Sequence, residues 1–168
     1  MEKLETNVAR ERIDAMLDKA LRLLPKARPA ALPPTRDIPD VPEWHDVELR
    51  LWAIGEDIRQ ELNGKTSLRG DVALYERIFQ VVSDRRGMRG RQSFALLFAY
   101  RPCLPWAERL AGLLPDEDGD IDGHVLSALN KMKAAGFSQV VNLYVKSPVA
   151  WVRREARRYL EKEQDLHR

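Results

Sequence analysis

Apolar residues recur at three- and four-residue steps along nearly the whole chain. No stretch keeps up the period-two alternation, bounded by turn residues, that a half-buried strand needs. That pattern points to an all-α fold and excludes one built on sheets. Ile13, Met16, Leu17, Ala20, Leu21 and Leu24 form one stripe of a helix over about Thr6–Leu24. Trp44, Val47, Leu51, Ile54, Ile58 and Leu62 form a second over about Pro42–Asn63, with Gly64 placed to close it. Between them, residues 25–42 hold six prolines. Proline fixes its own φ and turns the preceding residue away from helix, so this stretch predicts an extended, semi-rigid connector, either a strap across the domain or a spacer. Pro39-Asp40-Val41-Pro42 also has the spacing of a ligand for a proline-binding groove, the sharper alternative.

From Ser67 onward the pattern is one of shorter helices in pairs. The spacing predicts helices over Asp71–Arg86, Arg91–Tyr100, Pro105–Leu114, Asp122–Ala135 and Ser138–Lys146. A last helix runs to about Gln164, with Ser147 as its N-cap and Pro148 in its first position. The segment Glu76–Asp84 resembles Glu108–Asp116, and more loosely Ser138–Lys146, at a period near 30 residues. Self-similarity at that period is the mark of stacked helical hairpins. Chance similarity within an ordinary helical bundle is the alternative.

Phe137–Glu163 is the most specific of these pairs and is similar to a HEAT-type repeat. It has a short first helix, a tight turn at Ser147-Pro148, and a second helix with Val152-Arg153 near its start. Ala156 and then Leu160 follow at four-residue steps. The resemblance is good over 137–163 and faint over 68–168. It implies a short HEAT-like α-solenoid of stacked hairpins, with an N-terminal helical cap and a Pro-rich connector in front. The expected organisation is a helix at 1–24, a connector at 25–42 and a helical domain at 43–168, forming one compact domain. The middle pair departs from the repeat, since its second helix opens with acidic residues.

The chain has 168 residues, enough to bury a sizeable core without staples, and its single cysteine, Cys103, rules out an internal disulfide framework. The N-terminal residues lack the order of a secretory signal, and no apolar run is long enough to span a membrane. A cytoplasmic protein with no membrane association is expected. Net charge is +2, with 13 basic and 16 acidic residues in 1–84 against 15 and 10 in 85–168. That is too even for a strong polyanion binder, so local clusters carry the argument.

Three clusters stand out. Arg85, Arg86, Arg89 and Arg91 surround Gly87 and Gly90, and Arg153, Arg154, Arg157 and Arg158 share the polar side of the last helix. Both are candidate contacts for acidic protein surface or phosphate, with ordinary helix solvation as the plain reading. The third is the acidic loop with Asp116, Asp118, Asp120 and Asp122. Asp118, Asp120, Asp122 and Gly123 match positions one, three, five and six of an EF-hand loop, but position twelve is Leu129, where calcium needs a bidentate glutamate. A loop whose carboxylates cap the following helix, or an acidic face for a basic partner, is the better expectation, and no metal or cofactor is assigned.

No two of His45, His124 and His167 have metal-ligand spacing, although His124 beside Asp120 and Asp122 has a general base's neighbours. Phosphate loops, dinucleotide fingerprints and nucleophile elbows are absent from the sequence. The expected function is therefore a non-enzymatic protein-binding module, of an immunity, inhibitor or adaptor kind, with one protein partner. Whether it is an enzyme stays open, with the reading leaning against. Its alternative is a nucleic-acid-binding HEAT-like protein. Glycosylases that repair alkylated DNA bases are similar helical stacks, and Trp106, Trp151 and the two arginine groups carry that likeness here. Calcium-linked regulation through the acidic loop is a third reading.

Overall fold

A computed structural model describes residues 2–34 and 41–166. Among them the protein is all-α: eight α-helices, four 3-10 segments, and no strand beyond an isolated bridge between Pro34 and Pro42. None of these helices is long and apolar enough to cross a membrane. The chain divides into two compact units, Met1–Phe94 and Ala95–Arg168. The prolines of the motif expected to suit a proline-binding groove are split, since Pro39 and Asp40 lie outside the described residues, as does His167.

The first unit is built on α1 (Glu2–Leu23), α2 (Asp46–Glu61) and α3 (Val72–Ser83). Helix α1 buries Ala9, Ile13, Leu17 and Ala20, a strict run of four- and three-residue steps. Leu51, Ile54 and Ile58 of α2 meet that stripe, and Leu74, Ile78 and Val82 of α3 complete the core. Each such side chain stabilises the fold by about 1.5–3 kcal/mol on burial. Charges then fix the position of α1. Arg77 of α3 reaches Asp14 at 2.6 Å and also pairs with Asp18, while Arg10 reaches Asp71 at 2.8 Å. Asp71 is in turn the N-cap of α3, accepting the Leu74 N–H at 2.8 Å.

After α3 the chain does not run straight into another long helix. Residues Arg85–Arg91 form 3-10 turns kinked at Met88, whose φ of 45° and ψ of −134° lie outside the helical region. The expected helix over Arg91–Tyr100 shrinks to α4 (Gln92–Leu96). The 3-10 turns before it pack closely on α2. A Cβ on Gly90 would sit 2.7 Å from the Glu48 carbonyl, and one on Gly87 would sit 2.8 Å from Leu51. At Gly90 backbone meets backbone, and a side chain there has no room.

The second unit holds α5 (Ala107–Ala111), α6 (Gly119–Met132), α7 (Ser138–Val141) and α8 (Ala150–Leu166). A 3-10 segment at Arg101–Trp106 precedes α5, so the helix expected from Pro105 is shorter and begins later. Another, at Asn142–Tyr144, ends α7. The core joins Ile121, Val125, Leu126 and Leu129 of α6 to Val152, Ala156 and Tyr159 of α8. Ala156 is fully buried, as a small residue at a close helix contact should be. Helix α8 starts at Ala150, later than the Ser147 cap predicts. Ser147 Oγ accepts the Val149 N–H at 3.2 Å in a local turn, and it is Val149 whose carbonyl accepts the Arg153 N–H.

Candidate functional site

The first arginine group lies in the first unit and is largely engaged within it. Asp84 caps the turn by accepting the Arg86 N–H, and its carboxylate takes a fork of bonds from the Arg86 guanidinium at 2.6–3.2 Å. Those bonds hold the Asp84 carboxyl below its ordinary range against the opposing effect of burial. Arg86 also donates to the Pro25 carbonyl at 3.1 Å. Arg89 donates Nη1 to the Pro42 carbonyl at 2.9 Å and Nη2 to the Glu43 carbonyl at 2.7 Å, with its guanidinium 4.9 Å from the Trp44 ring centre. Arg91 is fully buried, donating Nε to the Met88 carbonyl and Nη1 to the Val82 carbonyl. Arg85 stays on the surface. The Gly-flanked turn is thus a clip for the Pro-rich connector more than a face for a partner, and Arg91 presents nothing outward. A His45 Nε2 bond to the Ala30 carbonyl at 2.6 Å and a Glu43 N–H bond to Pro33 hold the same strap.

Glu48 is the hub of that clip, 1% exposed. It accepts from the His45 N–H at 2.7 Å and from Arg89 N, Nε and Nη2 at 2.9–3.0 Å. Burial alone would raise its carboxyl, but these four donors outweigh burial and hold it below its usual range. Sequence reasoning missed Glu48. Its chief partner lies 41 residues away, and an acidic residue in a helix's first turn is ordinary.

In the second unit the acidic segment is not a metal loop. Helix α6 begins at Gly119, so Asp120, Asp122 and Gly123 are already helical. Asp122 is buried, its Oδ1 accepting the Asp116 N–H and its Oδ2 accepting the Tyr144 hydroxyl, each at 2.8 Å. Asp116, also buried, accepts the Asp118 N–H at 2.9 Å. Asp118 and Asp120 are half-buried. Among the described residues no group of three His, Cys, Asp or Glu side chains is placed to hold a metal. Gly123 has a packing reason instead: a Cβ there would sit 2.1 Å from the Trp151 ring. Burial pushes the Tyr144 hydroxyl well above its usual range, reinforced by the Asp122 carboxylate it faces. His124 donates Nδ1–H to the Asp120 carbonyl at 2.7 Å and meets the Trp151 ring edge-on at 5.1 Å. Burial lowers its pKa, opposed by the Asp120 carbonyl bond and the Asp120 carboxylate.

The acidic cluster forms the floor of an open groove of about 470 Å³. Its walls come from the Asn142–Tyr144 turn and from the entry to α8. Leu143 is 66% exposed and Val149 38%, with Val152 deeper and Lys146 on the surface. Arg153 borders the same turn, donating Nη1 to the Ser147 carbonyl at 2.6 Å and the Pro148 carbonyl at 3.0 Å. Arg154 and Arg157 are exposed, and Arg158 makes only a loose ion pair with Glu155 at 3.6 Å. A second groove of about 410 Å³ lies further along α8, between Leu160 and Gln164 on one side and Gln139 and Asn142 on the other. So Asp120 and Asp122 line one groove, Asp116 and Asp118 are tied to Asp122 by hydrogen bonds, Arg153 borders the same turn, and the other arginine group lies in a different unit. Leu143, Val149 and Lys146 were not singled out in the sequence. For Leu143 and Val149 the signal was faint: an apolar residue outside any buried stripe. Comparison with known protein families, with curated proteins and with solved structures finds no match to this chain.

Proposed function

We propose that this chain is a non-enzymatic protein-binding module that grips one protein partner through the groove of its second unit, in an adaptor, inhibitor or immunity role. The observation that carries the reading is the grouping of exposed aliphatic side chains at the rim of an open groove. Leu143 and Val149 stand in solvent, while Asp122 and Tyr144 beneath them are bonded to each other. Exposed aliphatic side chains grouped around an open groove suit an anchor residue from another protein. In this reading α7 and α8 form a HEAT-like hairpin, with α6 the last helix of the pair before it, and the groove is an edge of that short stack. One buried thiol, Cys103, fits a cytoplasmic setting.

A second reading has one observation in its favour. Arg154, Arg157 and Arg158 are exposed along one helix, as a phosphate-contacting face requires. The first arginine group gives it little support, because Arg86, Arg89 and Arg91 are engaged inside their own unit. Affinity capture from native lysate, with nuclease added, separates the two. A protein captured by the wild type and lost from Leu143→Asp supports the groove. A partner kept by that variant removes the groove from the proposal, and capture abolished by nuclease replaces it with the nucleic-acid reading.

A further inference from the structure

Resting on the protein-binding reading, we infer that the partner presents an acidic, amphipathic segment: an aliphatic anchor flanked by carboxylates, laid along α8. Charge complementarity carries the inference. Residues 143–158 contain five basic side chains and one acidic one. The single acid, Glu155, is turned inward, accepting from Asn130 at 2.8 Å. Asp122 and Asp116 are buried in their own hydrogen bonds. Asp120, half-buried, leaves one carboxylate on the floor of the seat, while the exposed charge along α8 from Arg153 to Arg158 is positive.

Helix geometry lays that charge out as a track. Val149 lines the first groove and Leu160 the second. Arg153 and Arg157 follow Val149 at four-residue steps, so they lie on one stripe between the grooves. From Val149 to Leu160 the stripe is about 16 Å long, the length of about three helical turns. Leu143 and Val149 stand at one end as the apolar seat. Among the described residues Arg154 and Arg157 have no ion-pair partner, and Arg153 fixes only Nη1, leaving its other donors to a carboxylate. Arginine forks suit carboxylates, which accept two parallel bonds. A segment that placed a leucine or phenylalanine at the seat and aspartates or glutamates at the following turns would meet the apolar seat and the exposed arginines of α8.

A displayed library of random peptides of about twelve residues, selected on the full chain, tests this directly. Expected are sequences with one aliphatic or aromatic residue flanked by acids. A synthetic copy of the leading peptide should bind about tenfold more weakly to Leu143→Asp, and by a similar factor to the pair Arg154→Glu with Arg157→Glu. All three positions are exposed, and circular dichroism checks that each variant is folded. Peptides with neutral or basic flanks that still need Leu143 would overturn the acidic segment and leave the groove reading standing. Selected peptides that ignore both variants, or no selection at all, would overturn both. A mixed-sequence single-stranded DNA oligonucleotide that binds and loses affinity on the arginine reversals would hand this face to nucleic acid.

Discussion

Gly123 shows how one residue can be read two ways. Its place after three alternating aspartates copies a calcium loop, yet its environment is an indole. With a Cβ 2.1 Å from the ring of Trp151, Gly123→Ala forces either helix or ring to move. We expect a loss of about 1–3 kcal/mol in urea unfolding, the usual cost of overpacking. Trp151→Leu opens space at the same point, so the double variant should lose less than the two single losses together. Strict additivity would show that the ring is not the obstacle. Glu48 makes the complementary case in the first unit. It is buried with four donors aimed at it, and Glu48→Ala leaves Arg89 facing its clip without a counter-charge. Removing one partner of such a buried pair costs about 3–5 kcal/mol, so the midpoint of urea unfolding should fall sharply. An unchanged midpoint would mean that water replaces the carboxylate without penalty. Neither role was legible in the sequence. The spacing around Gly123 is local and the contact that explains it is 28 residues away, while Glu48 looks like any acid at a helix start.

At the scale of elements, the long periodic helices were legible, and the short ones were legible in place but not in length. Helices α1, α2, α3, α6 and α8 carry buried stripes of three or more apolar residues at helical steps, and such a stripe fixes a period. Helices α4, α5 and α7 have four or five residues each, and continue from or into 3-10 turns. Such pieces are set by what they pack on, as Gly87 and Gly90 show, and a five-residue run carries no period to read. The connector was legible as non-helical, as residues 24–34 are, because its prolines oppose a helix, but its anchoring was not. Its carbonyls at Pro25, Pro42 and Glu43 accept from Arg86 and Arg89, contacts that span more than 45 residues. Arg89→Lys tests that anchoring. It keeps the charge but gives up the planar fork that reaches Pro42, Glu43 and Glu48 together. Limited proteolysis should then cut within residues 25–43 faster than in the wild type, while sites in 95–168 are cut at an unchanged rate. Equal rates at both would show that the strap is held by its prolines alone.

Proton binding at the scale of the whole molecule separates the two units. In the second unit, burial lowers the pKa of His124 and raises those of the tyrosines Tyr144 and Tyr159, the latter pushed up to about 12. All three groups are therefore favoured uncharged in the folded state. A histidine lowered from 6.5 contributes stability that is full above 6.5 and is lost as pH falls through its folded value. Tyrosines raised from 10.0 contribute stability that is full below 10 and is lost as pH climbs through their folded values. In the first unit the lowered carboxyls are those of Glu48 and Asp84, whose contributions are full above 4.5 and 3.8 and are lost only as pH falls through their folded values. On acidification the second unit should weaken first, below 6.5, while the Glu48 clip still holds. Hydrogen exchange followed by mass spectrometry reads the two apart. Between pH 7 and pH 5, once corrected for the intrinsic rate, opening of α6 and α8 should rise relative to opening of α2. His124→Gln keeps a polar side chain at the Trp151 edge without a titrating group, and should flatten that rise. Parallel opening of both units over this range would mean that His124 is solvated in the folded state and that its burial against Trp151 contributes nothing to the pH response.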